Sequence, residues 1–274
     1  MNQNERLSYL VEAFKLDSAE YKRLHVGSSQ EEQRTALRSL MNIRMPKPLP
    51  AEVLEIQNEY LQARAMEKGI VTLNDIPTIR AQYGSDHRFA DQLSIWQGDI
   101  TRLAVDTIVN AANSQMLGCF QPMHTCIDNC IHTFAGVQLR AACEAEMETL
   151  RAKYGSDYAQ PTAVPMLTDA YNLPARKVIH VVGPIVYDYL TEDLKQDLAD
   201  CYRNVLDLCR EYDLKSVAFC CISTGVFRFP NERAAEIAVE TVADWLQSHP
   251  DAMERVIFNV FKEQDKACYE QLLR

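Results

Sequence analysis

Ser216-Val-Ala-Phe-Cys-Cys-Ile-Ser223-Thr-Gly-Val-Phe-Arg-Phe-Pro-Asn231 is the stretch on which the fold turns. It opens with an apolar and small-residue run, 216–221, of the length of a buried strand. Ser223-Thr224-Gly225-Val226-Phe227-Arg228-Phe229-Pro230 follows as a turn-forming segment. A helical pattern then begins near Asn231 and runs to about residue 247. Strand, small-residue loop and helix, in that order, form the repeating half of a parallel α/β unit.

The same texture extends outward in both directions from about Leu93. Strands are predicted over 93–97, 107–110, 163–168, 177–182, 216–221 and 255–261. Helices are predicted over 128–153, 192–211, 231–247 and 263–273. Such alternation implies a mainly parallel sheet with helices on both faces, and ligands in that architecture bind outside the carboxyl ends of the strands. Residues 1–90 read differently. Leu7, Leu10, Val11 and Phe14 mark one helix face, and Leu37, Leu40 and Met41 repeat a shorter form of it. Met45-Pro46-Lys47-Pro48-Leu49-Pro50 breaks the pattern, and a third helix runs from about Ala51 to Lys68 and stops at Gly69. The expected organisation is therefore a helical extension, 1–90, followed by an α/β domain, 91–274. The extension carries no catalytic constellation. It reads as packing against the main domain or as a module for partner docking or substrate selection.

The chain has 274 residues, of which 47% are hydrophobic and 24% charged. That is the composition of a soluble globular protein with a sizeable core. No apolar run reaches membrane-spanning length, and the polar start, MNQNERLSYL, is unlike a signal peptide, so the expected location is cytoplasmic. A net charge of −10 disfavours broad nucleic-acid binding but leaves room for one small anion held by backbone N–H groups. Nine cysteines without a secretion signal argue for thiols or metal ligands, not for a disulfide framework.

Cys119-Phe-Gln-Pro-Met-His124-Thr-Cys126 places two cysteines and a histidine in eight residues, spaced C-x4-H-x-C. Zinc favours such donors, and three ligands leave a fourth position for water or substrate. Alternatively the zinc is structural and recruits Cys130 or Cys220, or the cluster holds no metal. Asp128, at the start of the next helix, suits an N-cap, or it orients water or a ribose hydroxyl. His132 is more readily a packed residue than a base. Asn113, after a strand, serves a turn or presents its amide to sugar hydroxyls. The Ser223–Phe227 loop exposes successive N–H groups suited to phosphate, or is an ordinary connection. Asp99, in Gly98-Asp99-Ile100-Thr101, reads by itself as a turn and a cap.

Taken together and in order, Gly98-Asp99-Ile100-Thr101, Ile108-Val109-Asn110-Ala111-Ala112-Asn113, Ile131-His132 with Ala135-Gly136, Val178-Ile179-His180 with Val182-Gly183-Pro184, and Ser223-Thr224-Gly225-Val226-Phe227 resemble the macrodomain family. The resemblance covers about 93–274. The C-x4-H-x-C insertion resembles the zinc-dependent macrodomains of bacteria, which are similar to MacroD-type ADP-ribosyl hydrolases. The resemblance implies a three-layer α/β/α fold around a mixed, mostly parallel sheet, with an N-terminal helical extension. It implies ADP-ribose as ligand. Asp99 would accept from the adenine amine beside the Ile100 N–H, with Phe261 flanking the base. Ser223, Thr224, Gly225, Val226 and Phe227 would wrap the pyrophosphate. Asn113 would bind the distal ribose, with Phe229 packed on it. One zinc ion per chain would sit on Cys119, His124 and Cys126, and Asp128 keeps the position of the family's catalytic aspartate, with Asn113 as its companion.

Two departures stand out. The run of glycines before the acidic residue of MacroD-type enzymes is replaced by the cysteine–histidine segment, and Arg228 stands where many relatives have a second glycine. The activity implied is zinc-dependent hydrolysis of mono-ADP-ribose ester-linked to acidic side chains of a protein. The alternatives are a non-catalytic reader with a structural zinc and an O-acetyl-ADP-ribose deacetylase. The partners implied are ADP-ribose and a mono-ADP-ribosylated protein, with a lipoylated carrier similar to the glycine-cleavage H protein, modified by a sirtuin-type transferase, as the associated setting.

Overall fold

The structure, a computed structural model, describes residues 1–274. In chain order the elements are helices α1 (Gln3–Asp17), α2 (Gln30–Ile43) and α3 (Ala51–Lys68), strand β1 (Val71–Thr72), helix α4 (Ile79–Tyr83), and strands β2 (Leu93–Gln97), β3 (Leu103–Ala104) and β4 (Thr107–Ala112). Helices α5 (Ile127–Ala135) and α6 (Val137–Tyr154) follow, then strands β5 (Met166–Asp169) and β6 (Lys177–Val182), helix α7 (Glu192–Glu211) and strand β7 (Ser216–Phe219). Helix α8 (Asn231–Ser248), strand β8 (Arg255–Val260) and helix α9 (Glu263–Leu273) complete the chain. The fold is a three-layer α/β/α arrangement with a mixed, mostly parallel sheet and N-terminal helices. No helix is long and apolar enough to cross a membrane.

The residues form two compact units. One comprises Met1–Ile70, Met116–Tyr158 and Ala170–Leu173; the other comprises Val71–Gln115, Ala159–Asp169 and Pro174–Arg274. A linear division near residue 90 marks where the α/β sequence pattern begins. Packing groups the chain by shared cores instead.

In the first unit, Leu7, Leu10, Val11 and Phe14 of α1 pack with Leu37, Leu40 and Met41 of α2 and with Val53, Tyr60 and Leu61 of α3. Both entry helices start on capping boxes, Asn2 with Glu5 and Ser29 with Glu32, each satisfying orphan N–H groups at the helix start. Pro50 enters α3 and Gly69, at φ +80°, ends it where expected. The single helix expected over 128–153 is instead two, α5 and α6. The break is Gly136, whose φ of +94° disfavours any side chain and whose Cβ would lie 2.8 Å from Gln57 Nε2.

In the second unit the six-stranded sheet runs β2-β8-β7-β4-β6-β5, parallel throughout except for β5 against β6. Its four inner strands are buried nearly end to end, as expected of parallel strands covered on both faces. Four strands differ from the sequence expectation at their boundaries. Strand β4 runs on to Ala112 rather than 110, and β8 stops at Val260 rather than 261. The edge strand starts at Met166 rather than 163, because Ala163 adopts φ +63° and joins Val182 by a single N–H bond. Strand β7 ends at Phe219, which frees Cys220 and Cys221 to begin the loop.

One polar string crosses this sheet. Asn110 Nδ2 lies 3.0 Å from His180 Nδ1, and His180 Nε2 lies 3.0 Å from Thr168 Oγ1. His180 is wholly buried, and desolvation pushes its pKa down to about 3. It is a neutral, hydrogen-bonded sheet residue at physiological pH.

Candidate functional site

The carboxyl ends of β2, β8, β7, β4 and β6 all point the same way, and the loops leaving them carry the residues singled out for ligand binding. β2 and β8 are paired with Gln97 opposite Val260, so Asp99 and Phe261 leave neighbouring strands. Asp99 caps a single 3₁₀ turn, Ile100–Arg102, and its Oδ1 accepts from the Thr101 N–H at 3.0 Å and from Thr101 Oγ1 at 2.6 Å. These bonds fix the carboxylate at the strand end. Ile100 buries its side chain beneath it. Phe261 is 74% exposed, a large aromatic face at the end of the neighbouring strand.

The loop after β7 is closed by its own backbone. Phe229 N–H donates to Ser223 O at 3.0 Å, Arg228 N–H donates to Gly225 O at 3.1 Å, and Thr224 Oγ1 donates to Cys221 O at 3.1 Å. Val186 N–H donates to Phe227 O at 2.9 Å and ties the loop to the segment after β6. Ser223 and Arg228 bracket it in the left-handed region, at φ +65° and +60°. The N–H groups of Gly225, Val226 and Phe227 take no part in these closing bonds. At Gly225 an added Cβ would meet nothing within 4 Å, so the chain's own packing does not demand glycine there. A ligand approaching the backbone closely would demand it. Ser223 Oγ is buried and has no partner within the chain. At Gly183 an added Cβ would fall 2.2 Å from that hydroxyl, so the absence of a side chain makes its room. Phe229 is 1% exposed. Its N–H closes the turn while its ring is buried, so the expectation that it packs on a ribose meets a side chain almost wholly withdrawn from the surface. Asn113 follows β4 and accepts the Gln115 N–H on Oδ1 at 3.0 Å, an Asx turn that leaves the amide at the strand end.

The Cys119–Cys126 segment belongs to the first unit. Cys119 Sγ lies 3.6 Å from His124 Nδ1, and these atoms and Cys126 Sγ all lie within 4.8 Å of one another. A tetrahedral zinc with bonds of roughly 2.3 Å to sulfur and 2.0 Å to nitrogen sets such donors roughly 3.5 Å apart. The donor set fits zinc in chemistry, and the Cys119–His124 separation, made through Nδ1, matches that spacing. Cys130 does not join the group, and neither does Asp128.

Cys126 is the N-cap of α5, where its sulfur accepts the Asn129 N–H at 3.4 Å. Desolvation pushes its thiol up to about 12, opposed by that N–H; a bound cation replaces the proton and reverses the balance. The cap position expected for Asp128 is thus taken by Cys126, and Asp128 sits within the first turn of α5. It is 5% exposed, with Oδ1 3.6 Å from His132 Nε2 one turn on. A carboxylate there is favoured by the positive end of the helix.

Sequence reading alone passes over the residues that hold this segment: Arg38 and Asn42 on α2, Asn129 on α5 and Arg140 on α6. The available signal is a polar pair at i and i+4 beside the apolar stripe of α2. Arg140 is buried, which pushes its pKa down to about 10, and its guanidinium lies 4.2 Å from the centre of the Phe120 ring.

Comparison with known proteins bears on both units. Residues 109–238 match the Macro domain family model. A protein of Treponema medium named protein-ADP-ribose hydrolase is 45% identical over 273 residues, covering 100% of both chains. One from Staphylococcus aureus with the same name is 39% identical over 269 residues, covering 98% of this chain and 95% of its own. Among solved structures, the Trypanosoma brucei macrodomain in complex with ADP-ribose superposes with a TM-score of 0.63 at 26% identity, covering 86% of this chain and 94% of that one. The Oceanobacillus iheyensis macrodomain with ADP does so with a TM-score of 0.58 at 36% identity, covering 68% of this chain and 92% of that one. With identity of this level running the length of the chain, the protein belongs to the macrodomain family.

Proposed function

We propose that this protein is a zinc-dependent protein-ADP-ribose hydrolase that removes mono-ADP-ribose esterified to acidic side chains. The observation that carries the reading is the Cys119, His124 and Cys126 donor set, with zinc-like spacing and no fourth protein donor, in a chain whose full-length relatives are named protein-ADP-ribose hydrolase. A reader of the modification has no need of a metal with an open position.

The chain's residues divide the work. Asp99 accepts from the adenine amine beside the Ile100 N–H, and Phe261 stacks on the base. The N–H groups of Gly225, Val226 and Phe227, with the Ser223 hydroxyl, receive the pyrophosphate. Thr224 shapes this loop through its bond to Cys221. Asn113 fixes the distal ribose. Cys119, His124 and Cys126 would hold one zinc ion, which when bound would supply Lewis-acid polarisation of an ester or water oxygen. Asp128 orients the attacking water or a ribose hydroxyl. Tight binding of the nucleotide end holds the scissile bond in place and lowers its entropic barrier. The setting is cytoplasmic, where the ligand thiols stay reduced. The target we propose is an acidic residue of a carrier protein similar to the lipoylated glycine-cleavage H protein.

The test pairs metal analysis with release of ADP-ribose from a glutamate- or aspartate-modified protein, with and without a strong chelator. Stoichiometric zinc and chelator-sensitive release are expected. Zinc without release on any modified protein overturns hydrolysis in favour of reading; release that persists after the metal is removed overturns the zinc role.

A further inference from the structure

The ligand segment has almost no regular structure of its own between Leu117 and Cys126, yet its backbone is held at nearly every second residue. The holding groups come from elsewhere in the chain. Arg38 Nη2 donates to His124 O at 2.7 Å and to Asn129 Oδ1 at 2.9 Å, and lies 3.7 Å from Cys130 Sγ. Asn42 is 1% exposed; its Oδ1 accepts the Met123 N–H at 3.1 Å and its Nδ2 donates to Thr133 Oγ1 at 2.9 Å. Asn129 is fully buried and donates to Cys119 O at 3.3 Å and to Gln121 O at 2.9 Å. Arg140 Nε donates to Leu117 O at 2.6 Å, while its Nη1 donates to Met41 O and Asn42 O at 3.2 and 2.9 Å, at the carboxyl end of α2.

Two of these four side chains stand one turn apart on α2. Their targets are the residue that ligates through its ring, His124, and the residue before it. Met123 adopts φ +58°, a conformation that costs a non-glycine residue free energy and persists only when its surroundings impose it. Asn42 holds the N–H of that residue and Arg38 the carbonyl of the next. The direction of the His124 ring therefore depends on α2.

We propose that Arg38 and Asn42 are positioning residues of the metal centre. On this reading the amino-terminal helices are part of the zinc site and set its affinity and geometry. The inference rests on the zinc reading above and goes beyond it. Outer partners that orient ligands are worth ~10–100-fold in metal affinity, because a donor free to rotate must be ordered when the metal binds. The backbone carbonyl and N–H of a ligand residue serve that purpose here, with no contact to the metal needed.

The experiment measures zinc affinity by competition with a chromophoric chelator, the visible spectrum of the cobalt-loaded protein, and kcat and KM at saturating zinc. The variants are Arg38→Met, which keeps the side-chain volume without its donors, Arg38→Lys, and Arg34→Met as a control one turn earlier, where the arginine reaches Glu67 instead. The expected result is a ~10–100-fold weaker zinc affinity for Arg38→Met, a shifted cobalt spectrum, a lower kcat with KM unchanged, partial recovery in Arg38→Lys, and no change in the control. Zinc affinity within twofold of the parent protein, with an unchanged cobalt spectrum, overturns the proposal and leaves α2 as packing alone. If Arg38→Met does not fold, Asn42→Ser carries the same measurement with the same two outcomes. A parent protein that binds no zinc refutes the underlying reading instead, so the two failures are distinguishable.

Discussion

The cysteine–histidine segment and the loop after β7 hold their shapes by opposite means. Between Leu117 and Cys126 the chain offers side chains to a ligand, and its backbone is clamped by Arg38, Asn42, Asn129 and Arg140. Between Ser223 and Phe229 the chain offers backbone, and it is closed by its own main-chain bonds over one buried phenylalanine. On the function proposed above, the difference follows from what each would bind. A soft cation needs thiolate and imidazole donors, whose side chains rotate and must be ordered from outside. An anion needs N–H groups, which the peptide plane already orients once the turn is set. The two regions should therefore fail independently.

His124→Ala should have the largest effect. Zinc should be lost from the protein and release of ADP-ribose should fall to the uncatalysed rate, while the affinity for free ADP-ribose, measured by calorimetry, changes by no more than a few-fold. Unchanged turnover in a metal-free His124→Ala protein would sink the claim that zinc takes part in the chemistry. Gly225→Val should show the reverse. Its Cβ meets nothing in the chain, so Tm should hold to within a degree or two, and zinc content should stay stoichiometric. ADP-ribose affinity should fall at least about tenfold, roughly 1.4 kcal/mol, because the branched side chain stands where the pyrophosphate meets the backbone. Equal affinity would mean that the phosphates do not lie on this loop.

The smallest expected effect concerns neither loop but the sheet that positions the second one. His180 is buried with its pKa depressed to about 3, against about 6.5 when the chain is unfolded. Below 6.5 the unfolded chain binds a proton that the folded chain refuses. Stability from this group is therefore full above pH 6.5 and is lost as pH falls, by up to about 1.4 kcal/mol per unit. Between pH 6.5 and 5, where most carboxylates remain ionised, denaturation midpoints should drop. In His180→Gln, which keeps a donor and an acceptor between Asn110 and Thr168, they should drop less. Parallel pH profiles for the two proteins would show that the proton is taken up elsewhere.

Legibility in the sequence follows the same divide. The strand–helix alternation, the three leading helices and the stop at Gly69 are readable because each rests on local periodicity or local backbone chemistry. Cys119, His124 and Cys126 are readable as candidate donors because side-chain chemistry is written in residue names, and the fold does bring the three together. Of the two roles open to Asp128 the cap is taken by Cys126, and Phe229 is almost wholly withdrawn from the surface, since a residue name does not fix the direction of a side chain at a turn. The break at Gly136 escapes the helical pattern because an isolated glycine inside such a pattern can be tolerated and does not by itself mark an end.

Residue order is enough for the class of fold, the family and the kinds of atoms available to a ligand, because periodicity, turn chemistry and donor type are short-range properties. Only folding in three dimensions makes Arg38 and Asn42, more than eighty residues before the groups they hold, brace the His124 backbone. It is also what gathers three donors while Cys130 stays apart, and what makes His180 a neutral rivet and not a base. Those outcomes depend on hydrogen bonds and desolvation between segments distant in the chain, and no local pattern encodes which distant groups will meet.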